Sequence, residues 1–143
     1  MDIFNRLIDK KMSVLELPKW GAYLRSEWES HFAGHLSDQE KRTIYLNSNN
    51  GYLWHLFSYE KKKCFDGEAA EEAFNDESKN ECYIFYQRWD YAVLVKNASK
   101  LHVSDFGDET DIYVVDKDFR WTFVITHETG LCGPYFSRNE KHL

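Results

Sequence analysis

The chain has 143 residues, with 18 Lys+Arg against 24 Asp+Glu and a formal net charge of −6 with histidine neutral. Its 43% hydrophobic and 17% aromatic content excludes wholesale disorder, and its acidic balance argues against nucleic-acid binding, whose affinity rests on phosphate neutralisation. No stretch approaches the roughly 18 apolar residues of a membrane helix, so no membrane partner is expected.

The length predicts a single domain, residues 1–143, able to bury roughly 70% of its unfolded surface without disulfides. The mean hydropathy of −0.64 is low. Nine Tyr and five Trp account for much of that, because hydropathy scales count these rings as polar although they bury large areas. The segment from Met1 to Lys11 carries an acid at position 2 and no apolar h-region, unlike a signal peptide. Cys64, Cys82 and Cys132 are odd in number and lack CxxC spacing, which suits free thiols in the cytoplasm.

In chain order, Asp2 to Lys11 reads as a short helix with Ile3, Phe4, Leu7 and Ile8 on one face. Val14-Leu15-Glu16-Leu17 leads into Pro18, which disfavours helix before it. Trp20, Tyr23, Leu24, Trp28, His31 and Phe32 mark a second helix with a core stripe, stopped near Gly34. Ser37 and Glu40 have capping-box spacing and open a third helix running to about Leu46. The loop Asn47-Ser48-Asn49-Asn50-Gly51 follows. Tyr52 to Phe57 reads as a strand from its aromatic content. Asp66 is placed to cap an acidic helix through Glu68, Ala70, Ala73 and Phe74.

The remainder reads as sheet. Cys82–Tyr86 and Tyr91–Val95 flank the turn Arg88-Trp89-Asp90, and Ile112–Val115 and Trp121–Ile125 flank Asp116-Lys117-Asp118. The tail from His127 to Phe136, with Gly130, Gly133 and Pro134, is expected to be irregular. Helices first and strands later predict an α+β fold, with N-terminal helices on one face of a mostly antiparallel sheet of about five strands.

Three groups of residues could carry chemistry. The densest is the segment after the last strand, where His127 could act as a base, Glu128 as its neighbour and Cys132 as a nucleophile. The plain alternative is a turn with His127 as a hydrogen-bonded turn residue. HExxH spacing is absent, because position 131 is Leu131. His31 and His35 have i, i+4 spacing, but the helix is expected to end between them, so no metal is assigned. Asp105 to Asp111 lacks calcium-loop spacing and reads as a solvated loop. The second group is a partner surface: Glu68, Glu71 and Glu72 on the acidic helix, with Trp89 as an anchor if exposed. The third is an aromatic ligand pocket around Trp54, His55 and Tyr86.

The runs Leu17-Pro18-Lys19-Trp20-Gly21, Gly51 to Ser58, and Tyr113 through His127 to Phe136 resemble a small bacterial family catalogued as a domain of unknown function. The resemblance spans nearly the whole chain and implies no activity, ligand or catalytic residue. In build alone, the chain is similar to SMI1/KNR4-type bacterial immunity proteins. Together these readings predict a cytoplasmic, non-enzymatic interaction domain, immunity-type or regulatory, that binds a basic partner, with no cofactor. The alternatives are a small hydrolase or metal-assisted enzyme at His127, Glu128 and Cys132, and a small-molecule binder. Oligomeric state stays open.

Overall fold

The computed structural model describes residues 2–46 and 51–139. Residues 47–50 of the predicted loop lie outside the described residues. In chain order the elements are α1 (Ile3–Asp9), β1 (Val14–Leu17), α2 (Gly21–Phe32), α3 (Asp38–Thr43), α4 (His55–Ser58), β2 (Phe65–Asp66) and α5 (Glu68–Asp76). Then come β3 (Cys82–Tyr86), β4 (Ala92–Val95), 3-10 turns at Ala98–Lys100 and Val103–Phe106, β5 (Ile112–Asp116), β6 (Trp121–Ile125) and β7 (Tyr135–Arg138). One seven-stranded sheet runs β1-β4-β3-β5-β6-β7-β2, with every neighbouring pair antiparallel.

The α+β class stands, but the sheet has seven strands rather than about five. Helices also cover both of its faces. On one face Leu24, Trp28 and Phe32 of α2, with Leu56 and Phe57 of α4, pack on Phe85, Ala92, Tyr113, Val115 and Val124. On the other, Ile3 and Leu7 of α1 and Ala70 and Phe74 of α5 pack on Ile84, Val93, Val114, Phe123 and Phe136. The central strands explain this. All five residues of β5 are buried, as are the first four of β6. A strand apolar on both sides needs cover on both.

Several local readings change for identifiable reasons. Tyr52 to Phe57 is a turn leading into α4 rather than a strand. Leu53, Leu56 and Phe57 are buried together at helical spacing, and short apolar runs do not separate the two states. The tail is not wholly irregular, because Tyr135–Arg138 becomes β7 between β6 and β2, giving β6 a partner on its second edge. Gly67, not Asp66, caps α5. Trp20 and Tyr23 are 41% and 55% exposed rather than core. The Asp105–Asp111 segment is not simply solvated, since Asp105 and Phe106 are buried and Asp105 pairs with Lys10 at 2.8 Å. The Ser37–Glu40 capping box forms in both directions.

A candidate functional site at one end of the sheet

Antiparallel register decides which loops meet. Tyr86 pairs with Ile112, and Ile112 pairs with Ile125. The β3–β4 turn, the residues before β5 and the residues after β6 therefore share one end of the sheet. The segment from Tyr52 to His55 closes over this end. A buried network holds it there: the Gln87 side-chain oxygen accepts from the Leu53 amide at 2.9 Å and from the Tyr113 hydroxyl. The Tyr113 oxygen in turn accepts from the Trp54 amide at 3.2 Å.

Asp111 is the centre of the site. It adopts φ 51°, a left-handed conformation that Asp tolerates better than most residues. One carboxylate oxygen accepts from the Trp54 indole N–H at 3.0 Å and from the His127 amide at 3.2 Å. Both oxygens lie 3.0 Å from His127 Nδ1. A carboxylate can only accept, so Nδ1 carries a proton, and in the neutral ring Nε2 is then the nitrogen with the lone pair. Nε2 lies 3.5 Å from Glu128 Oε2, and the His127 side chain is 38% exposed. Tyr52 and Trp54 flank the imidazole at centroid distances of 5.0 and 5.8 Å.

Beside this pair lies an open cleft of about 280 Å³, lined by Tyr52, Tyr86, Gln87, Arg88, Trp89, Thr110 and Asp111. The Arg88 guanidinium lies 4.6 Å over the Tyr52 ring and donates to the Gly51 carbonyl at 2.8 Å. Trp89 is 57% exposed and stacks on Tyr91 at 4.9 Å. Its backing is rigid. Arg25 donates to the Tyr86 and Trp89 carbonyls at 3.0 and 2.9 Å. The Gly21 amide donates to Asp90 at 2.8 Å, and a Cβ at Gly21 would lie 2.7 Å from the Asp90 Cα. Only glycine lets α2 start this close to the turn that presents Trp89. The Tyr86 hydroxyl donates to both Glu109 oxygens at 3.0 Å, and the Tyr91 hydroxyl donates to Glu16 at 2.7 Å. Burial and the acceptor carboxylates raise both phenol pKa values.

His55 packs edge-on against Trp54, Tyr52 and Tyr59. Its Nδ1 is buried without a hydrogen-bond partner among the described residues. Burial lowers its pKa, against an opposing pull from the Tyr45 and Ile44 backbones.

The structure thus gathers His127, Glu128, Trp54, His55, Tyr86 and Trp89 at one end of the sheet. Two groups stay apart. Cys132 packs against the core beside the Tyr135 hydroxyl, so the segment does not present it as a partner of His127. Glu68, Glu71 and Glu72 sit on α5, which packs against β2, β7 and the second 3-10 turn, several strands from the β3–β4 turn. His31 stacks on Phe119 at 4.5 Å, beyond the far end of β5 from Asp111, while His35 Nε2 bonds the Lys61 carbonyl at 2.7 Å. Neither meets His127. Among the described residues, no three His, Cys, Asp or Glu side chains converge as a metal site, and no helix is long and apolar enough to cross a membrane. Sequence reasoning missed Asp111, Tyr52, Gln87 and Arg88.

The family model described as a domain of unknown function, DUF4275, matches residues 1–136, and the chain belongs to that family. No curated protein and no solved structure matches it.

Proposed function

We propose that the protein is an interaction domain that docks a basic partner on this end of the sheet, with Trp89 as the anchor. The observation that carries the reading is the Trp89 ring: 57% exposed, yet fixed from behind by Tyr91, Arg25 and Gly21. A rigid exposed tryptophan loses little entropy on binding and is the residue type most enriched among interface hot spots. Asp90 follows Trp89 in the turn, Glu16 and Glu109 bond its ring neighbours Tyr91 and Tyr86, and Asp111 lines the same cleft, which favours a cationic partner and faster association at low salt. The α5 carboxylates Glu68, Glu71 and Glu72 extend the negative field without touching the anchor. We place the protein in the cytoplasm, where its three free thiols persist.

The test is retention of chains from the native host's extract on immobilised wild-type protein, Trp89→Ala, and a Glu68, Glu71, Glu72→Lys triple variant. The expected outcome is a basic chain retained at low salt, released by salt, lost with Trp89→Ala and bound more slowly by the triple variant. If no chain depends on Trp89, the reading is wrong.

A further inference from the structure

The two edges of the sheet differ. On one side β2 contributes only Phe65 and Asp66, behind the run Lys61-Lys62-Lys63, and a short strand flanked by lysines is a blunted edge. On the other side β1 presents Val14–Leu17, with Leu15 47% exposed and Glu16 as its one charge. We propose that the protein is a dimer in which β1 pairs antiparallel with β1 of a second copy, Leu15 meeting Leu15 of that copy on the two-fold axis. This inference does not rest on the docking of a basic partner.

The phase of the hydrogen bonds identifies the free groups. Val14 lies opposite Val95, and the Lys96 amide donates to the Ser13 carbonyl at 2.8 Å. Bonded and non-bonded pairs alternate along an antiparallel ladder. Ser13, Leu15 and Leu17 therefore turn their backbone groups toward β4, and Val14 and Glu16 turn theirs outward. Among the described residues nothing bonds the outward groups of Val14 and Glu16. The Met12 N–H is already given to the Leu7 carbonyl at 3.0 Å, and Pro18 has no N–H to give. The free ladder is thus short, bounded on both sides.

That ladder is its own complement. With Leu15 opposite Leu15, Val14 of each copy faces Glu16 of the other, and each of these pairs exchanges both of its hydrogen bonds. The neighbouring registers are worse. One sets Glu16 directly against Glu16, like charges face to face, and Val14 against the donorless Pro18. The other sets Glu16 against Met12, whose N–H is spent. In the favoured register the Leu15 pair takes the non-hydrogen-bonded position, where opposite side chains lie closest. Leu94 and then Tyr83 continue the row from Leu15 across the sheet. Both are half-buried, and Trp20, 41% exposed, lies 6.1 Å from the Tyr83 ring. A two-fold axis normal to the sheet joins the two apolar rows on one face, and exposed apolar surface of this kind marks contact sites. A longer foreign strand would run into Pro18 on one side and the spent Met12 amide on the other, whereas a second β1 ends where the ladder ends.

The test is sedimentation equilibrium of the full chain over a concentration series, with wild type, Leu15→Lys and Glu16→Pro, each checked for folding by circular dichroism. Lysine at position 15 sets two cations against each other on the axis. Proline at position 16 removes an outward donor and no bond to β4, a change that edge strands tolerate. The expected result at about 100 μM is twice the 17.1 kDa of one chain for wild type, and a single-chain mass for both variants. Each copy carries a net charge of −6, so salt should strengthen the dimer by screening, opposite to its effect on a basic partner. Amide hydrogen exchange reads the register: Val14 and Glu16 should slow as the wild-type concentration rises. A wild type that stays monomeric at that concentration overturns the proposal, even where another chain binds this edge. So does a dimer that survives either substitution in a folded chain, or one whose Val14 and Glu16 amides exchange as fast as in the monomer. Should Glu16→Pro fail to fold, Leu15→Lys and the exchange measurement decide.

Discussion

Asp111 ties together Trp54, the His127 backbone and the His127 ring, so its replacement has a stability cost that the geometry sets. In Asp111→Asn one oxygen still accepts from the Trp54 indole and the His127 amide, but both bonds lose their charge assistance. Hydrogen bonds to charged groups contribute about 1.5–3 kcal/mol and neutral ones about 0.5–1.5 kcal/mol. The carboxylate is 23% exposed, so screening removes part of that difference, and the net loss is about 1–2 kcal/mol. The Asn amide also turns a donor toward Nδ1, which must then accept, so the proton moves to Nε2. Asp111→Ala is worse. It leaves the indole N–H of the almost wholly buried Trp54 without its acceptor, about 1–3 kcal/mol, and places alanine at φ 51°, about 1 kcal/mol more. Urea unfolding followed by tryptophan fluorescence measures both losses, and nitrogen–proton correlation NMR reads the tautomer. Losses below about 0.5 kcal/mol in both variants, or an unchanged tautomer in Asp111→Asn, would show that Asp111 does not organise the site.

Thr122→Val tests the core beneath the site. The Trp28 indole N–H donates to Thr122 Oγ1 at 2.9 Å, with both residues fully buried. The isosteric change should cost about 1–3 kcal/mol in urea unfolding and markedly less in a Trp28→Phe background, where no donor is left unpaired; equal costs in the two backgrounds contradict the account. Alkaline stability tests the buried thiol. Burial pushes Cys82 from 9.0 up to about 12. The folded state therefore favours the protonated thiol, and the stability it contributes is present below about pH 9 and lost as pH rises toward 12. Between pH 9 and 10 wild type should lose stability more steeply than Cys82→Ala, by up to about 1.4 kcal/mol per pH unit, and parallel pH dependences would contradict the assignment.

The elements legible from sequence were those decided by local chemistry. The Ser37–Glu40 box is a pair of hydrogen bonds within one turn, and the two hairpins follow from alternating β-formers around polar turns. What stayed hidden was decided at long range. β1 has only four residues and gains its identity from pairing with β4. β7 contains no signal apart from Tyr135 and Phe136 and is a strand because β6 offers it an edge. The second helical layer was legible in principle, since β5 and β6 are apolar at nearly every position, and a one-layer cover would have left one of their faces in water.

The site follows the same division. His127 and Glu128 were visible as titratable residues after a strand, whereas Asp111 read as one more acid in an acidic loop. Its role depends on register. Once Ile112 pairs with Ile125, the residue before one strand is bound to meet the residues after the other, and Asp111, opposite Thr126 in that register, comes within reach of His127 at the sheet end. The predicted hairpin therefore held the clue to the dyad, although composition did not. Trp54 could not be found that way. Its indole reaches Asp111 from α4's entry turn, across a stretch that no hairpin register constrains, and the Gln87–Tyr113 network helps to fix it there. A variant that loosens that network, such as Gln87→Ala, should therefore disturb His127 without touching it. Its expected signature is a shift of the His127 ring resonances with the sheet amides unmoved, and unmoved His127 resonances in a folded Gln87→Ala protein would mean that Asp111 holds the ring without help from Trp54.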